Sequence, residues 1–600
     1  MHTTLLMVSS SGVELDFPAW LRITHFINFL MMGFLIRSGW EVIASHPRFY
    51  WNNHCTPGSE WLRFTKDKVS TVPGEYTARD DQRSLSPLIS LPGKAQIGLG
   101  RAWHALATVI WVVNGLIYVT LLFATGQWRR IVPTSWEIFP EAWHSLTIYA
   151  GFQVPSIEHF QPYDALQKLM YFTVVFIVAP LMIATGPIMS PAFCGRFPGY
   201  VRLFRNRQTA RSIHFLGMAF YCVFTVMHVA LVFIVHPQYN IAHMMLNKSY
   251  NEIDAAQFAQ AVTMLIVGVV AAVALWLGAS YWSLRDLRFT QTFIWGLTQP
   301  VRNVFLDRIT SRQVKKKTFT DADISPFHWV NTRPPTERES TEWNRLRETE
   351  FVDYRLELGG LVKEPKSLSI DDLKALGKEV NITMHTCMQG WTGIAKWEGV
   401  RLRDVLALVE KDENARYVMV TSYGHVGHTY DGRPTEPYYE CLDISMAMED
   451  ETILAWGMND KPLPDVYGGP LRLRADSMHG YKMVKWVQKV EWISDYRDVG
   501  DDQGGSREDS GLQHFDARAY HYLLLVPWQA PNRVKIKRPV RRSQYRHTGR
   551  FHAVISRSCV YSIPPEPAHY VQLSLHTRKP RYDPWATACS VIALYTGRAG

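Results

Sequence analysis

Residues Ser212–Val229 read SIHFLGMAFYCVFTVMHV, an apolar stretch that carries two histidines. With its apolar flanks it reaches the roughly 20 residues that span a bilayer as a helix. His214 and His228 lie fourteen positions apart. At about 100° and about 1.5 Å per residue, they point to nearly the same face and are separated by about 21 Å. The stretch therefore predicts a transmembrane helix with one imidazole near each side of the membrane.

Four further apolar stretches of similar length precede residue 283, so the sequence predicts five membrane-spanning helices. The loop between the third and fourth helices is rich in arginine and contains no acid. Because such loops stay on the inner side of the membrane, we expect the amino terminus outside and everything after residue 283 inside. The five stretches are Trp20–Ile36, Trp103–Thr125, Leu166–Met189, Ile213–Val235 and Phe258–Trp282.

Histidines are the main ionisable residues inside these stretches, where ionisable groups are costly and usually functional. Helix alternation places His25 and His228 at the outer side, and His104 and His214 at the inner side. A lone histidine at a helix end is more often an interfacial residue than a ligand. Two pairs at matched depths instead favour two bis-histidine haem sites stacked across the membrane.

These stretches resemble the bacterial di-haem cytochrome b family, which includes the membrane subunits of formate dehydrogenase and nickel-iron hydrogenase. The resemblance rests on Arg22–Trp40, on Arg101–Val119 and on the fourteen-residue histidine spacing, and it covers about residues 17–290. It implies a multi-pass protein of the bacterial inner membrane that binds two haems b and exchanges electrons with quinone or quinol. The long loop 41–100 departs from the compact family pattern.

After residue 325 the sequence changes to short alternating or β-branched runs separated by Gly, Pro and Asp, which predicts an α+β domain rich in strands. Ser369 is a plausible amino-terminal cap for the helical stretch that follows it.

This domain contains the segment TMHTCMQGWTG, Thr383–Gly393, in which Cys387 has no neighbouring cysteine. Such a cysteine can be a buried core residue, a nucleophile or a metal ligand.

Residues 324–496 resemble the sulfite oxidase-like molybdopterin domain, in which one cysteine thiolate binds molybdenum. The resemblance is carried by Phe351–Leu376, His385–Leu406 and Gly468–Ile493. It implies that Cys387 is the catalytic molybdenum ligand. A soft thiolate suits a metal already held by two dithiolene sulfurs, so one protein sulfur is enough. Within the family the chain looks most like the bacterial branch that contains the catalytic subunit of methionine sulfoxide reductase.

The resemblance also implies several pterin contacts. Gly480 would allow close backbone approach, and Lys482 and Lys485 would neutralise the phosphate tail, although exposed basic residues on a strand fit the sequence equally well. Asn331 and His385 resemble cofactor-contacting positions.

The sequence thus predicts a chain of four parts. They are a di-haem cytochrome b region (1–290), a linker (291–325), a cytoplasmic molybdopterin domain (326–498) and a basic disordered tail (499–600). The function expected is electron transfer between quinone, two haems b and a molybdopterin centre that performs oxygen-atom transfer on a small S- or N-oxide. The alternative is a cytochrome b with a cofactor-free docking domain. No nucleic-acid partner is expected.

Overall fold

Five membrane-length helices dominate the first half of the chain, as the sequence predicted. The computed structural model describes residues 17–151, 153, 164–301, 319–425 and 437–512. Side-chain caps begin three of the helices, because Asp164, Asn206 and Asp254 accept hydrogen bonds from backbone N–H groups. The helices are α1 (Ala19–Ala44), α2 (Ile97–Ala124), α3 (Ala165–Met189, with a π-helical segment Thr173–Val178), α4 (Arg207–Ile234) and α5 (Ala255–Arg285).

Helix α1 continues two turns beyond its apolar run. Arg37 in this extension is buried and donates to the backbone oxygen of Trp276 at 2.5 Å and to Ser280 Oγ at 2.8 Å. Such polar groups tolerate burial when protein acceptors replace water. The helix therefore extends to Ala44, and the apolar pattern alone underestimated its length.

A sixth helix, α6 (Leu287–Val301), follows α5 after a break at Asp286. It packs on α2 through Ile294, which contacts Ala102 and Leu106. The expected linker from residue 291 is thus helical in its first part, whereas 302–318, with the Lys315–Lys317 run, lies outside the described residues. Shorter helices in this half are Ala78–Asp81, Ile138–Ala150, Pro191–Arg196, Pro198–Leu203 and Pro237–Leu246.

The long loop after α1 is folded around a small buried ion network. Strands β1 (Arg48–Phe49) and β2 (Leu62–Arg63) pair within it. Asp81 lies 3.0 Å from His46 Nδ1 and 3.0 Å from Arg48 Nε, and Arg48 also pairs with Glu60 at 2.7 Å. Because each charge of this network has an opposite partner, the segment can stay folded with little regular secondary structure.

The second half contains two five-stranded sheets, one in the order β10–β9–β6–β5 with β11 beside β9, the other β4–β3–β12–β7–β8. All pairs among these strands are antiparallel except β3 with β12. The strands are β3 (Leu356–Gly360), β4 (Lys366–Leu368), β5 (Glu379–Thr386), β6 (Thr392–Arg401), β7 (Tyr417–His425), β8 (Pro437–Asp443), β9 (Thr452–Met458), β10 (Lys461–Pro462), β11 (Arg472–Ala475) and β12 (Val487–Ile493).

Helices Thr341–Glu348, Ile370–Ala375, Leu402–Leu406 and Ile444–Ala447 complete the domain. Ser369 caps Ile370–Ala375 as expected: its hydroxyl accepts from the Asp372 backbone N–H at 3.1 Å. The predicted start of the tail at residue 499 is too early. Glu508, which lies within the helix Ser506–Asp509, is buried, and so is Leu512. Residues 513–600 lie outside the described part of the chain.

Candidate functional site

Cys387 opens a tight loop between two strands of one sheet. β5 ends at Thr386, which pairs with Thr392 at the start of β6. The Cys387 backbone N–H donates to Trp391 O at 3.0 Å and Gly390 N–H donates to Cys387 O at 3.1 Å. Gly390 has φ of 115°, a conformation that favours glycine. The loop therefore fixes the thiol by backbone geometry.

The Cys387 thiol is buried, with 2% of the residue exposed. Its Sγ lies 3.6 Å from Asn331 Oδ1 and 3.6 Å from Gln389 Oε1, and the Gln389 backbone N–H donates to it at 3.5 Å. Burial raises the pKa of the thiol to about 11. The free side chain is thus a neutral thiol at physiological pH, and a bound metal ion is what would hold it as a thiolate.

A buried cluster of basic side chains surrounds His385, behind the cysteine loop. Arg474 Nη1 lies 2.9 Å from His385 Nδ1, and the Arg474 guanidinium lies over Trp397, 4.2 Å from the ring centre. Arg472 and Lys485 share the cluster. Burial, ahead of the neighbouring cations, lowers the pKa of His385 and Lys485 well below their ordinary values and that of Arg472 to about 9.

This cluster fits an anionic cofactor. Asp476 pairs with Arg474, but no ion pair with Arg472 or Lys485 occurs within the part of the chain that is described. Arg472 Nε and Arg474 Nε are buried and lack a hydrogen-bond partner among those same residues. Uncompensated buried cations and unpaired donors are costly. The phosphate and polar pterin edge that the resemblance implies would supply the missing charge and acceptors.

The residues predicted to contact the pterin lie in different surroundings. Asn331 lies beside Cys387 and His385 lies in the basic cluster. Gly480 packs against His385 instead of open space: a Cβ at Gly480 would lie 2.2 Å from His385 Nε2. Its missing side chain therefore makes room for an imidazole of the protein itself.

Neither lysine is an exposed strand residue. Lys485 donates to the backbone oxygens of Thr332 at 3.1 Å and Val466 at 2.8 Å. Lys482 lies in the turn Gly480–Lys482 and is fully buried between two carboxylates, which differs from the expected phosphate contact. Arg472 is also buried.

The cysteine loop is held by the ends of three membrane helices. Gly390 O accepts from Arg207 Nη1 at 2.8 Å and from Gln208 Nε2 at 2.9 Å, both at the start of α4. Arg101, near the start of α2, donates to Met388 O at 3.1 Å. Gln389 Nε2 donates at 3.2 Å to the backbone oxygen of Ser45, directly after α1.

The loop after α1 completes this contact. Tyr50, Cys55 and Ala78 form one buried cluster with Trp329, Cys387 and Trp391. Sequence reasoning left the role of residues 41–100 unknown, since no motif marks them. In the structure, Tyr50, Cys55 and Ala78 from this segment cover the cysteine loop.

The four intramembrane histidines meet in the predicted pairs. The ring centres of His25 and His228 are 6.1 Å apart, and those of His104 and His214 are 6.3 Å apart. Imidazole nitrogen binds a metal at about 2.0 Å and the ring centre lies about 1 Å further, so two imidazoles on one metal have centres about 6 Å apart. Both pairs fit one iron between them.

Hydrogen bonds to the other ring nitrogen orient three of these histidines. His104 Nδ1 lies 3.0 Å from Ser38 Oγ, His214 Nδ1 lies 2.9 Å from Thr185 Oγ1, and His228 Nδ1 lies 3.3 Å from Tyr171 OH. Partners at Nδ1 leave Nε2 for a metal, the usual arrangement around metal-binding histidines. The hydroxyl partners carry no sequence motif and could not be assigned beforehand.

Two family models match the chain. Residues 344–499 match the oxidoreductase molybdopterin binding domain, and residues 16–248 match the prokaryotic cytochrome b561. The first range contains Cys387 and the basic cluster, whereas the second contains all four histidines.

Relatives of both kinds occur among known proteins. The chain is 31% identical over 172 residues to the protein-methionine-sulfoxide reductase subunit YedZ1 of Azospira oryzae (29% of this chain, 59% of that protein). It is 33% identical over 144 residues to the protein-methionine-sulfoxide reductase catalytic subunit MsrP of Xanthomonas axonopodis (23% and 45%). The chain thus spans about half the length of these relatives. The sulfane dehydrogenase SoxCD from Paracoccus pantotrophus is a distant structural match, with 20% identity, 25% and 41% coverage and a TM-score of 0.21.

Proposed function

We propose that this chain, a molybdopterin-dependent oxidoreductase joined to a membrane cytochrome b, exchanges electrons between the quinone pool and a small S- or N-oxide through two haems b. When bound, the molybdenum cofactor supplies oxygen-atom transfer, and the haems supply one-electron steps. Reduction of a sulfoxide consumes two electrons and two protons and yields a sulfide and water. The reductase names of the relatives support this direction.

One observation carries the proposal. Arg101 contacts the carbonyl of Met388, the residue after Cys387, and lies on the same helix as His104, one turn away. The inner histidine pair and the cysteine loop are therefore joined by a single side chain. An electron would not have to leave this chain to travel between the two centres.

The residues have separate roles in this proposal. Cys387 would hold molybdenum, and the Asn331 side chain beside its Sγ would help to orient it. The cluster around Arg472 and Arg474 would bind the anionic part of the pterin. His25 with His228, and His104 with His214, would each bind one haem iron.

The first experiment is metal analysis of the detergent-purified protein, with a reduced-minus-oxidised haem spectrum of the same sample. About one molybdenum and two haems b per chain are expected. Haem without molybdenum would refute the proposal and leave the cytochrome with a docking domain. Cys387→Ser should abolish turnover and leave the haem spectrum unchanged, so retained activity would exclude Cys387 as the catalytic ligand.

We further propose that the molybdopterin domain lies on the cytoplasmic side. It contacts the helix ends that carry Arg101, Arg207 and Arg211, and the loops rich in arginine are retained inside. Reporter fusions after residue 512 test this orientation: a reporter active only in the cytoplasm should be active, whereas activity of a reporter that requires export would contradict it.

A further inference from the structure

Arg101 connects the membrane region to two segments of the molybdopterin domain, the cysteine loop and the turn at His479. Its Nη1 donates to Met388 O at 3.1 Å, and its Nη2 lies 3.1 Å from His479 Nε2. Because a guanidinium can only donate, His479 Nε2 accepts and the ring proton lies on Nδ1. His479 directly precedes Gly480, which packs on His385. One side chain thus fixes the cysteine loop and the turn opposite it.

The charge of Arg101 is directed toward the cysteine loop. No carboxylate forms an ion pair with Arg101 among the residues that the structure describes, and its hydrogen bonds to Met388 and His479 both lead to the molybdopterin domain. Arg101 is half-buried, and a positive charge without a paired carboxylate favours the more negatively charged state of a nearby redox centre.

Docking of the loop does not depend on Arg101 alone. Arg207 and Gln208 both bind Gly390 O, and Gln389 binds Ser45 O and Ala78 O. Ser45 Oγ also donates to Gln389 O at 3.2 Å. Among the described residues, removal of the Arg101 charge therefore leaves five hydrogen bonds between the loop and the membrane region. A variant at this position should fold and bind both cofactors.

We propose that Arg101 is a positioning residue of the molybdenum site, supplied by the membrane helix that carries His104, and that its charge raises the reduction potential of that site. This inference rests on the proposed function. Residues that orient a metal ligand from outside its coordination shell typically change activity about 10- to 100-fold when substituted. The membrane region is then part of the catalytic unit and more than an electron supply.

The test compares wild type, Arg101→Gln and Arg101→Lys in the full chain. Molybdenum and haem contents are measured first. A redox titration followed by electron paramagnetic resonance then gives the midpoint potential of the molybdenum centre, and turnover is measured with a reduced soluble dye. Arg101→Gln should keep both cofactors, shift the potential downward and lower turnover about 10- to 100-fold, and Arg101→Lys should recover the potential.

Arg288→Gln is the matched control. Arg288 on α6 also joins the two halves, since its Nη2 lies 3.5 Å from Asp501 Oδ2, but it is exposed. This variant should behave as wild type. Wild-type potential and turnover in Arg101→Gln, or an equal loss in Arg288→Gln, would overturn the role of Arg101. If the wild-type protein contains no molybdenum, both this inference and the proposed function are overturned. The metal analysis therefore distinguishes failure of the proposed function from failure of the role of Arg101 alone.

Discussion

Substitution of Lys482 by Met is expected to destabilise the molybdopterin domain strongly. Lys482 Nζ lies 2.9 Å from Glu440 Oε2 and 2.6 Å from Glu508 Oε1, and all three side chains have no exposed surface. It also donates to the Cys441 backbone oxygen at 3.1 Å. Loss of one partner from a buried ion pair costs about 3–5 kcal/mol because the remaining charge has no compensation.

The pH dependence of this loss follows from the carboxylates. Burial, ahead of the neighbouring Glu508, raises the pKa of Glu440 well above its ordinary value. Because Lys482 lowers the pKa of Glu440, we expect that pKa to rise further without it. The folded state then binds more protons than the unfolded chain above about pH 4.3, and its stability falls as the pH rises. The free energy lost in Lys482→Met should therefore be larger at pH 8 than at pH 5.

The effect on stability is measured in the full chain as the temperature at which the molybdopterin domain unfolds. Susceptibility to a protease reports that unfolding. The double variant Lys482→Met with Glu508→Gln removes the cation and one acid together, so it should recover much of the lost stability. Unchanged unfolding of Lys482→Met combined with lost molybdenum would refute the structural reasoning. That result would instead support the sequence-based expectation that Lys482 binds the cofactor phosphate.

Four further substitutions test the histidine pairs, the packing around His385 and the burial of His328, whose ring centre lies 5.5 Å from that of His385. His104→Ala and His228→Ala should each remove one of the two haems and so about half of the haem difference absorbance; loss of both haems in either variant would contradict separate sites. Gly480→Ala should displace His385, because the new Cβ would lie 2.2 Å from Nε2, and lower the molybdenum content without changing the haem spectrum. Burial lowers the pKa of His328 to about 3. Below about pH 6.5 the unfolded chain therefore binds a proton that the folded state does not, and the free energy of unfolding falls by up to about 1.4 kcal/mol per pH unit. His328→Gln should lessen this loss, seen as a smaller change in Tm between pH 7 and pH 5.

The membrane half could be predicted in detail because its signals are local. Hydropathy, alternation of the helices and the fourteen-residue spacing gave five helices and the pairing of His104 with His214, whose ring centres lie 6.3 Å apart. Depth along a helix depends only on residue number. Cys387 was identified by a motif, whereas its contact with Asn331 depends on a segment 56 residues away.

Long-range contacts could not be predicted in the same way. Arg101 looks in the sequence like one of many arginines at an inner helix end, and Lys482 looks like a basic residue available to a phosphate. Each role depends on what the fold places opposite, which is a carbonyl next to Cys387 for Arg101 and two carboxylates for Lys482. Burial of a charge is decided by tertiary packing, and no local pattern records it.

The cysteine site belongs to neither sequence family alone. The matched range 344–499 omits Trp329 and Asn331, and it also omits Glu508, which pairs with Lys482. The buried cluster around Cys387 includes Tyr50 and Cys55 from the membrane half. Separation of the halves would expose this apolar cluster to water and leave the arginines at the helix ends without their carbonyl acceptors. The unit that must fold together to form the site therefore extends from α1 to Leu512.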